Sequence, residues 1–506
     1  MYNPLTALVR SSDAEALYTL ESHQKPKRSS KDKRRPSFSR MSHINPRRCV
    51  SLTVVFFTSL LVFLCVASTS LKQVSKVIVW DKQRTRPASP PRQIIESTPE
   101  YMQMDNVLAG PPTAYFRDAL RNDSKYLTSW YGAGFNNDVM TIANMIYLAM
   151  LTDRVPILPP LTSYISGSAP PLPFSQLFNV SYLMQKLQLP VLEWHQIKDW
   201  SLSHALGQPD SLGCWNVWEV ANVWSDSPRG SYTPTLLNLD ISYTRAPSWV
   251  KLIPGYEHDS HSPFWALARL AFPQTRTATL ADPEEHPTRP SERWGAVLPP
   301  DEQLLCFDYL YYACGMMPSE FDWDYSPSWR FVLKHFKWTE NLQTLSREYL
   351  RRTLNVTEGE LIPPYITLHA RRGDFIGMCG STPRDDCFPP LSAFARRVAE
   401  VQEELREKHG IEARHVIMTS DEQDAAWWEG VAAQGWLRVD HDGARTAEVY
   451  GNWYPVIVDA VIQSGGMGFV GTDSSTFTTM ARRRVEDWNN GAVRTVKWGR
   501  PNADAH

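Results

Sequence analysis

The chain has 506 residues, which is enough for two domains with appendages, and its 42% hydrophobic and 21% charged residues are typical of a globular protein. The formal net charge of -2 gives no global positive field, which excludes a protein that binds nucleic acid over its whole surface. No nucleic-acid partner is therefore expected.

The first 48 residues are predicted to form a disordered, basic tail. The stretch from Lys25 to Arg48 holds ten Lys and Arg against a single acid, Asp32. Because it lacks the apolar side chains that could build a core, it is not expected to fold.

Residues 49–71 contain no charged side chain and are predicted to be a single transmembrane helix. The apolar centre, from Val54 to Leu64, sits within a run of about the length that a helix needs to cross a bilayer. Since the basic cluster precedes the span, the positive-inside rule places residues 1–48 in the cytosol and the rest of the chain in a lumen, which is type II topology. Residues 72–110 are interpreted as an extended, Pro-containing stem.

Potential N-glycosylation sites lie on the predicted luminal side. The tripeptides Asn-x-Ser/Thr begin at Asn122, Asn179 and Asn355. Each tripeptide is a weak signal alone, and together they agree with a luminal location.

Five of the seven cysteines also follow the span. Close spacing predicts the disulfides Cys306–Cys314 and Cys379–Cys387 and leaves Cys214 over. Zinc binding is the alternative for these cysteines, although no His lies at zinc-like spacing from either pair.

The N-terminal half begins with a predicted strand, loop, helix and strand. Tyr126–Trp130 is the first strand, and the glycine-containing loop Gly132–Asp138 follows it. A helix with recurring Met and Ile leads to the second strand at Arg154–Pro160. This βαβ pattern predicts a Rossmann-like domain with the glycine loop at its carboxyl edge. Residues 161–300 are Pro- and Trp-rich, and their pattern predicts no secondary structure.

The C-terminal half alternates between strands and helices. The expected strands are Tyr365–His369, His415–Thr419, Trp436–Val439 and Met467–Gly471. The helices between and after them cover about 391–410, 424–433, 454–465 and 475–488. This alternation predicts an α/β fold with a parallel sheet, in which ligands bind beyond the carboxyl ends of the strands.

The loop after the first of these strands carries two adjacent arginines, in His369-Ala370-Arg371-Arg372-Gly373-Asp374. An arginine can hold a phosphate in a two-pronged geometry, and Asp374 can orient one of the two. A structural ion pair at the end of a strand is the alternative.

The loop after the last of these strands, Gly471–Phe477, combines glycine, hydroxyl side chains and the start of a helix. Free backbone N–H groups and the helix dipole make this a natural seat for phosphate. Ordinary Ser/Thr capping of the helix is the alternative. Two loops suited to anions at one sheet edge favour a diphosphate ligand.

With these motifs the chain resembles the GDP-fucose protein O-fucosyltransferase family and its wider fucosyltransferase relatives. Three blocks carry the resemblance: Gly134-Phe135-Asn136-Asn137 with the strand after it, the His369–Asp374 loop, and the Val470–Phe477 loop.

The resemblance implies a GT-B fold, in which Rossmann-like domains at about 111–350 (acceptor side) and 351–506 (nucleotide-sugar side) face each other across a cleft. It also implies an inverting transfer of fucose from GDP-fucose to a hydroxyl of a protein or glycan acceptor, with no metal and no further cofactor.

The resemblance also assigns roles to residues. Arg371 contacts the β-phosphate of the leaving GDP, and Asn136 contacts the donor or the reacting region, so both are catalytic candidates. The donor-binding candidates are Gly134, Phe135, His369, Asp374, Asp459, Ser475, Thr476 and Phe477.

The chain departs from one branch of the family at Ala133, where some members carry Glu. The catalytic base is therefore unassigned, with Asp138 as a nearby candidate. A non-catalytic binding protein with the same fold is one alternative function. A metal-dependent glycosyltransferase of another class is a second, because Asp322-Trp323-Asp324 has the Asp-x-Asp form.

A short anchor, a basic cytosolic tail, a stem and a luminal catalytic domain are the layout of Golgi glycosyltransferases. The sequence therefore predicts a single-pass type II protein of the Golgi or endoplasmic reticulum membrane. Its expected partners are a nucleotide sugar, a protein or glycan acceptor, and the membrane through one helix.

Overall fold

The structure, a computed structural model, describes residues 99–162 and 169–505. The predicted tail, the transmembrane helix and most of the stem lie outside these residues. Within the described ranges, no helix combines the length and the apolar character needed to cross a membrane. The described residues all belong to one compact unit.

The described residues contain thirteen strands, numbered here in chain order. They are β1 (Tyr126–Ser129), β2 (Val155–Leu158), β3 (Leu192–Glu193), β4 (Asp210–Asn216), β5 (Leu239–Arg245), β6 (Ser262–Pro263), β7 (Thr288–Arg289), β8 (Leu304–Phe307), β9 (Ala313–Cys314), β10 (Tyr365–Ala370), β11 (His415–Ser420), β12 (Gly468–Thr472) and β13 (Ala492–Val496).

Two mainly parallel sheets organise the fold, which is α/β as the sequence predicts. The first has the order β3-β2-β1-β8-β4-β5-β7 and is parallel except for the β5–β7 pair. The second has the order β11-β10-β12-β13 and is parallel throughout. Strands β6 and β9 form a small separate pair. All four strands of the second sheet therefore end at one edge.

Helices connect and cover these strands. The α-helices are Phe116–Ala119, Phe135–Leu151, Phe174–Leu177, Val180–Leu187, Trp200–Leu206, Trp218–Ala221, Thr233–Leu236, Phe264–Arg269, Pro273–Leu280, Pro327–Phe331, Glu340–Leu354, Arg384–Cys387, Leu391–His409, Ala425–Ala433, Thr446–Tyr450, Tyr454–Gly465 and Thr476–Asn489. Short 3-10 turns occur at Glu100–Met102, Met104–Asn106, Trp194–Gln196, Ser248–Val250, Glu320–Asp322, Leu333–His335 and Asp374–Met378.

The helix Leu391–His409 illustrates how the local sequence determines an element. Phe394, Val398, Val401 and Leu405 are buried and recur at helical spacing, so one face of the helix packs on the sheet. Gly410 ends the helix in the left-handed conformation with φ 64°. That conformation is one that glycine adopts at little steric cost.

Most of the predicted strands and helices of the C-terminal half are confirmed within a residue or two, with one exception. The strand expected at Trp436–Val439 is absent, and only Leu437 forms a single bridge to Ile417. The last strand, Ala492–Val496, lies beyond the four that the pattern predicts. It extends the sheet on the other side of β12.

One hydrophobic core joins the two halves of the sequence. Phe135 and Val139 on the helix after β1 belong to the same buried cluster as Trp453, Ile457 and Met480 from the C-terminal half. Burial of apolar surface is the main favourable term in folding, so this shared core holds the two sheets in a fixed relation.

The disulfide pairing corrects half of the prediction. Cys379–Cys387 forms as expected, but Cys306 pairs with Cys214 across 92 residues, and Cys314 is a buried free thiol. Cys214 lies on β4 and Cys306 on β8, which are adjacent strands. Spacing along the chain favoured the nearer cysteine, whereas sheet topology brings the distant one into contact.

We expect non-reducing peptide mapping to recover a Cys214–Cys306 linked peptide and to find Cys314 alkylated after denaturation. The double variant Cys214→Ser, Cys306→Ser should lose about 2–4 kcal/mol of unfolding free energy, because the cross-link restricts the unfolded chain. Cys314→Ser is the matched control and should leave both disulfides intact. A Cys306–Cys314 peptide would contradict this pairing.

Candidate active site

Arg371 leaves the end of β10 and is held by two carboxylates. Its Nε and Nη2 donate to Asp374 Oδ1 and Oδ2, each at 2.6 Å, and its Nε lies 3.2 Å from Asp421 Oδ2. Its backbone N–H donates to Thr472 Oγ1 on the neighbouring strand β12 at 3.0 Å. Paired donors on a planar guanidinium fix its orientation. The side chain is 24% exposed, so its position is fixed while it remains accessible.

Arg372, the adjacent arginine, forms a structural ion pair at the end of the strand, which is the alternative given above for this loop. Its Nε donates to Glu422 Oε2 at 2.7 Å, and its guanidinium lies over the rings of Phe388 and Trp427. Arg384 contacts the same Glu422 oxygen at 2.5 Å. The Glu422 side chain is only 3% exposed. Arg372 thus anchors the loop, and Arg371 is the arginine that a ligand can reach.

Gly373 allows this loop to approach β11 closely. A Cβ at this position would lie 2.7 Å from Asp421 Oδ2, so the carboxylate would have to move. Asp421 also accepts the backbone N–H of Arg372 at 2.8 Å. Glycine at position 373 therefore leaves room for the Asp421 carboxylate against the loop.

His369 is buried at the end of β10 and is neutral. Burial and then the charge of Arg371 lower its pKa to about 3, against an opposing effect of Asp374. Its Nδ1 lies 3.2 Å from Thr478 Oγ1, and its ring stacks on Phe477 at 5.4 Å between centroids. The histidine therefore packs and positions the second loop without adding charge.

The helix Thr476–Asn489 begins at the same edge. Ser475 occupies the N-cap position, but its side chain makes no capping hydrogen bond. The first-turn N–H groups of a helix have no partner within the helix. The alternative of ordinary side-chain capping is therefore not observed, and the helix start remains suited to an anion.

The glycine loop of the N-terminal half also ends in a helix start. Gly134 is the N-cap of the helix Phe135–Leu151, and it offers no side chain for capping. Asn136 is 1% exposed, and its Oδ1 has no hydrogen-bond partner among the described residues. A buried amide oxygen without a donor costs about 1–3 kcal/mol, so a ligand hydroxyl is a natural partner for it.

Asp138 holds the glycine loop through a hydrogen bond to the loop backbone. Its Oδ1 accepts the backbone N–H of Ala133 at 3.3 Å, and its side chain is buried. Burial raises its pKa well above the ordinary value, while backbone donors and the charge of Arg229 oppose this rise. Arg229 donates to the carbonyl oxygen of Gly132 at 3.0 Å. Asp138 therefore stabilises the loop through its backbone contacts. Because its carboxyl is buried beneath the loop, the structure does not favour it as the catalytic base.

The two helix starts meet. Thr476 Oγ1 donates to Asn137 Oδ1 at 3.0 Å, and the rings of Phe135 and Phe477 lie 6.3 Å apart. The N-terminal dipole ends of two helices therefore meet in one region, at the sheet edge where Arg371 leaves β10. A site of this kind favours a ligand that carries more than one negative charge.

Asp459, expected to bind the nucleoside, lies on the helix Tyr454–Gly465 and contacts His441. The Asp459 Oδ1 is 3.0 Å from His441 Nε2, and the Asp459 side chain is 23% exposed. His441 follows the bridge at Leu437, near the edge of the second sheet. Its contact with Asp459 has no signal in the sequence, because the two residues lie on different elements.

The Asp-x-Asp tripeptide is engaged in ion pairs with the helix Thr476–Asn489. Asp322 Oδ1 accepts from Arg482 at 2.8 Å and from Thr479 at 3.0 Å. Asp324 Oδ1 accepts from Arg483 at 2.6 Å. These carboxylates join the two halves of the chain.

Among the ranges that the structure describes, no group of three potential metal ligands occurs.

The family model described as GDP-fucose protein O-fucosyltransferase matches residues 126–486, which is more than half of the chain. The chain belongs to this family. It is therefore a glycosyltransferase of the fucosyl-transfer class. The matched range includes all three blocks on which the resemblance depends.

Solved structures are similar at low identity. POFUT1 in complex with GDP is 14% identical with a TM-score of 0.46, over 75% of this chain and 100% of that chain. POFUT1 in complex with GDP-fucose is 13% identical with a TM-score of 0.45, over 75% and 99%. The fucosyltransferase NodZ from Bradyrhizobium is 13% identical with a TM-score of 0.35, over 71% and 93%. A comparison with curated proteins finds no match. The family assignment rests on the family model.

The structure brings most of the predicted site residues of this O-fucosyltransferase family member together. Arg371, Asp374, His369 and the loops around Thr476 and Asn136 share one region. Sequence reasoning missed Glu422 and Asn137 as supports of the two loops. Glu422 lies just beyond the end of β11, and this position at the carboxyl end of a strand could have marked it as a site residue.

We expect Glu422 to make the stability of this fucosyltransferase fold depend on acid pH. Burial raises its pKa, but hydrogen bonds from Arg372, Asp424, Arg384 and Gln423 outweigh that effect and lower it from 4.5 to about 2. A depressed carboxyl pKa stabilises the fold above the unfolded value, and the stabilisation is lost as the pH falls through the folded value.

Unfolding in urea at pH 6 and at pH 3 measures this dependence. The Glu422→Gln variant should lose about 2 kcal/mol of the difference that the unmodified protein shows between the two pH values. Glu412→Gln, which removes an exposed partner of Arg414, is the control and should change the difference little. Equal behaviour of the two variants would contradict the role of Glu422.

Proposed function

We propose that the protein transfers fucose from GDP-fucose to a hydroxyl of a protein or glycan acceptor. The observation that supports this most is the meeting of two helix N-termini beside Arg371, within a chain that belongs to the O-fucosyltransferase family. The proposal includes a GT-B arrangement, in which the two sheets carry the acceptor side and the nucleotide-sugar side.

In this proposal the leaving diphosphate lies between Arg371 and the first turn of the helix Thr476–Asn489. Transfer moves negative charge onto the β-phosphate, and fixed donors placed there lower the barrier. Asp374 and Asp421 orient the guanidinium, and His369 and Phe477 pack behind it. Ser475 and Thr476 add donors to the phosphates.

The remaining predicted residues have supporting roles. Asp459 binds the nucleoside while His441 holds its carboxylate. Gly134 and Phe135 form the donor-binding loop, and Phe135 packs on Phe477 across the site. Asn136 offers its unpaired Oδ1 to a hydroxyl of the donor or the acceptor.

The reaction is proposed to be inverting, with no metal and no further cofactor. Arg371 and the two helix starts supply the positive potential that a metal would otherwise provide. The general base is not assigned, because Ala133 has no titratable group and Asp138 is buried beneath the loop.

Ala133 also favours a second candidate, a binding protein that retains the fold without turnover. Calorimetry with GDP-fucose, together with GDP release in the presence of candidate acceptors, separates the two functions. Binding without release on any acceptor would support the second candidate.

The protein is proposed to be a single-pass type II protein of the Golgi or endoplasmic reticulum membrane with a luminal catalytic region. Three sequon asparagines, Asn122, Asn179 and Asn355, are exposed. The Asn179 Oδ1 accepts from the N–H of Tyr182 as a helix cap, and this oxygen is retained when the amide nitrogen carries a glycan. The sites are therefore compatible with the folded structure.

We expect Arg371→Ala to lower kcat for fucosyl transfer by about 10²–10³-fold, because it removes a donor to the leaving phosphate. Its melting temperature should fall only slightly, since ion pairs that remain partly exposed to solvent contribute about 1 kcal/mol. Release of GDP from GDP-fucose provides the measurement. Arg414→Ala, at an exposed arginine paired with Glu412, is the control. Wild-type turnover and GDP affinity in Arg371→Ala would overturn the assignment.

We expect the protein from eukaryotic cells to carry glycans at Asn122, Asn179 and Asn355. Removal of N-glycans by an endoglycosidase should increase the electrophoretic mobility of the protein. Each Asn→Gln variant should show a smaller increase, by the amount that one glycan contributes. Variants of the serine or threonine two positions later provide the matched check. A protein without N-glycans would count against the luminal location and would leave the catalytic proposal untouched.

A further inference from the structure

Arg484 is a buried arginine, and two of its guanidinium nitrogens have no acceptor among the described residues. It lies in the helix Thr476–Asn489 and is 1% exposed, and its Nε and Nη2 have no hydrogen-bond partner among the described residues. Burial lowers its pKa to about 9. A buried charge with unsatisfied donors is costly, so its presence requires an explanation.

Three aromatic rings surround this guanidinium. Its Cζ lies 4.5 Å from the ring centre of Trp338, 5.5 Å from that of Trp488 and 6.0 Å from that of Phe178. Rings attract a cation through their π faces, by about 2 kcal/mol when it is desolvated. They offset part of the cost of burial but accept no N–H hydrogen bond of normal strength.

Further basic side chains lie around Arg484. The Lys337 Nζ is 3.8 Å from the ring centre of the same Trp488. Burial and then the charge of Arg484 lower the pKa of Lys337 to about 8, and Asp487 opposes this. Burial and the charges of Lys334, Lys186 and Lys337 lower the pKa of His335 to about 4.

The two arginines that precede Arg484 in the same helix are paired with carboxylates. Arg482 pairs with Asp322, and Arg483 pairs with Asp324 and Glu486. Among the described residues, Asp487 is the carboxylate whose charge acts on Lys337, and it already accepts the indole N–H of Trp329. The basic groups around Arg484 are therefore in excess over the acids.

We propose that Arg484 and Lys337, with Lys186, Lys334 and His335 around them, form a binding site for a small oxyanion, a phosphate or sulfate group. A planar guanidinium suits two oxygens of such a group, and an ammonium adds a point charge. The burial of Arg484 favours a single small group over an extended polyanion.

This oxyanion site is distinct from the candidate active site. Arg484 is eight residues beyond Thr476, which corresponds to about 12 Å along the helix. Lys186 and the segment around Lys337 come from the N-terminal half, while Arg484 and Trp488 come from the C-terminal half. A bound anion would therefore link the two halves at the far end of the helix that begins at the active site.

The test is a melting experiment in which inorganic sulfate is titrated at constant ionic strength with sodium chloride. Saturating GDP is present throughout, so that the active site is occupied. The melting temperature of the unmodified protein should rise and then saturate. Lys337→Gln should weaken the apparent affinity for sulfate at least tenfold, and Arg484→Met should abolish the rise.

Arg484→Met carries a second expectation. Without sulfate it should melt at or above the temperature of the unmodified protein, because an apolar side chain replaces an unpaired buried charge. If this variant does not fold, sulfate calorimetry on Lys337→Gln provides the comparison. Arg414→Gln, at an exposed arginine, is the control and should keep the full effect of sulfate.

A parallel titration with glycerol phosphate distinguishes the sources of the anion. Tighter binding of glycerol phosphate than of sulfate assigns the site to a phosphate ester, and equal or weaker binding assigns it to a free anion. Absence of a sulfate effect in the unmodified protein, or an equal effect in it and in both variants, would overturn the proposal.

Discussion

The contact between Thr476 and Asn137 is the constraint on which the candidate site depends. The two residues lie in the first turns of two helices from opposite halves of the chain, and a hydrogen bond of 3.0 Å joins them. Behind this bond, Phe135 and Phe477 pack together, and a shared hydrophobic core continues beneath them. Because the core is closely packed, the helix starts stay in place without a ligand, so donors to an anion are preorganised.

Charge in the second sheet is divided between neighbouring arginines. Arg372 pairs with a buried carboxylate and stacks on aromatic rings, and these contacts fix the loop. Arg371 is held by carboxylates that remain partly exposed, so a phosphate can compete for it. His369 contributes shape, since burial keeps it neutral. The loop thus combines rigidity with one accessible positive charge.

Much of this arrangement could be predicted from the sequence, because it depends on local patterns. The strand Tyr365–Ala370 and the helix after it follow from apolar spacing, and the loops at the strand ends follow from the parallel topology. Residues 161–300 escaped prediction because their helices are short, with at most 8 residues, and therefore show little apolar periodicity. The pairing of Cys214 with Cys306 depends on the order of strands, which spacing does not reveal. The contact of Asp459 with His441 likewise depends on tertiary packing.

A crystal structure with GDP tests whether Arg371 and the helix start at Thr476 bind the leaving diphosphate. We expect β-phosphate oxygens to lie within hydrogen-bonding distance of the Arg371 guanidinium and of first-turn backbone N–H groups at Thr476 and Phe477. The guanine should then lie on the side of Asp459. GDP bound elsewhere, without contact to Arg371, would show that this site does not bind the diphosphate.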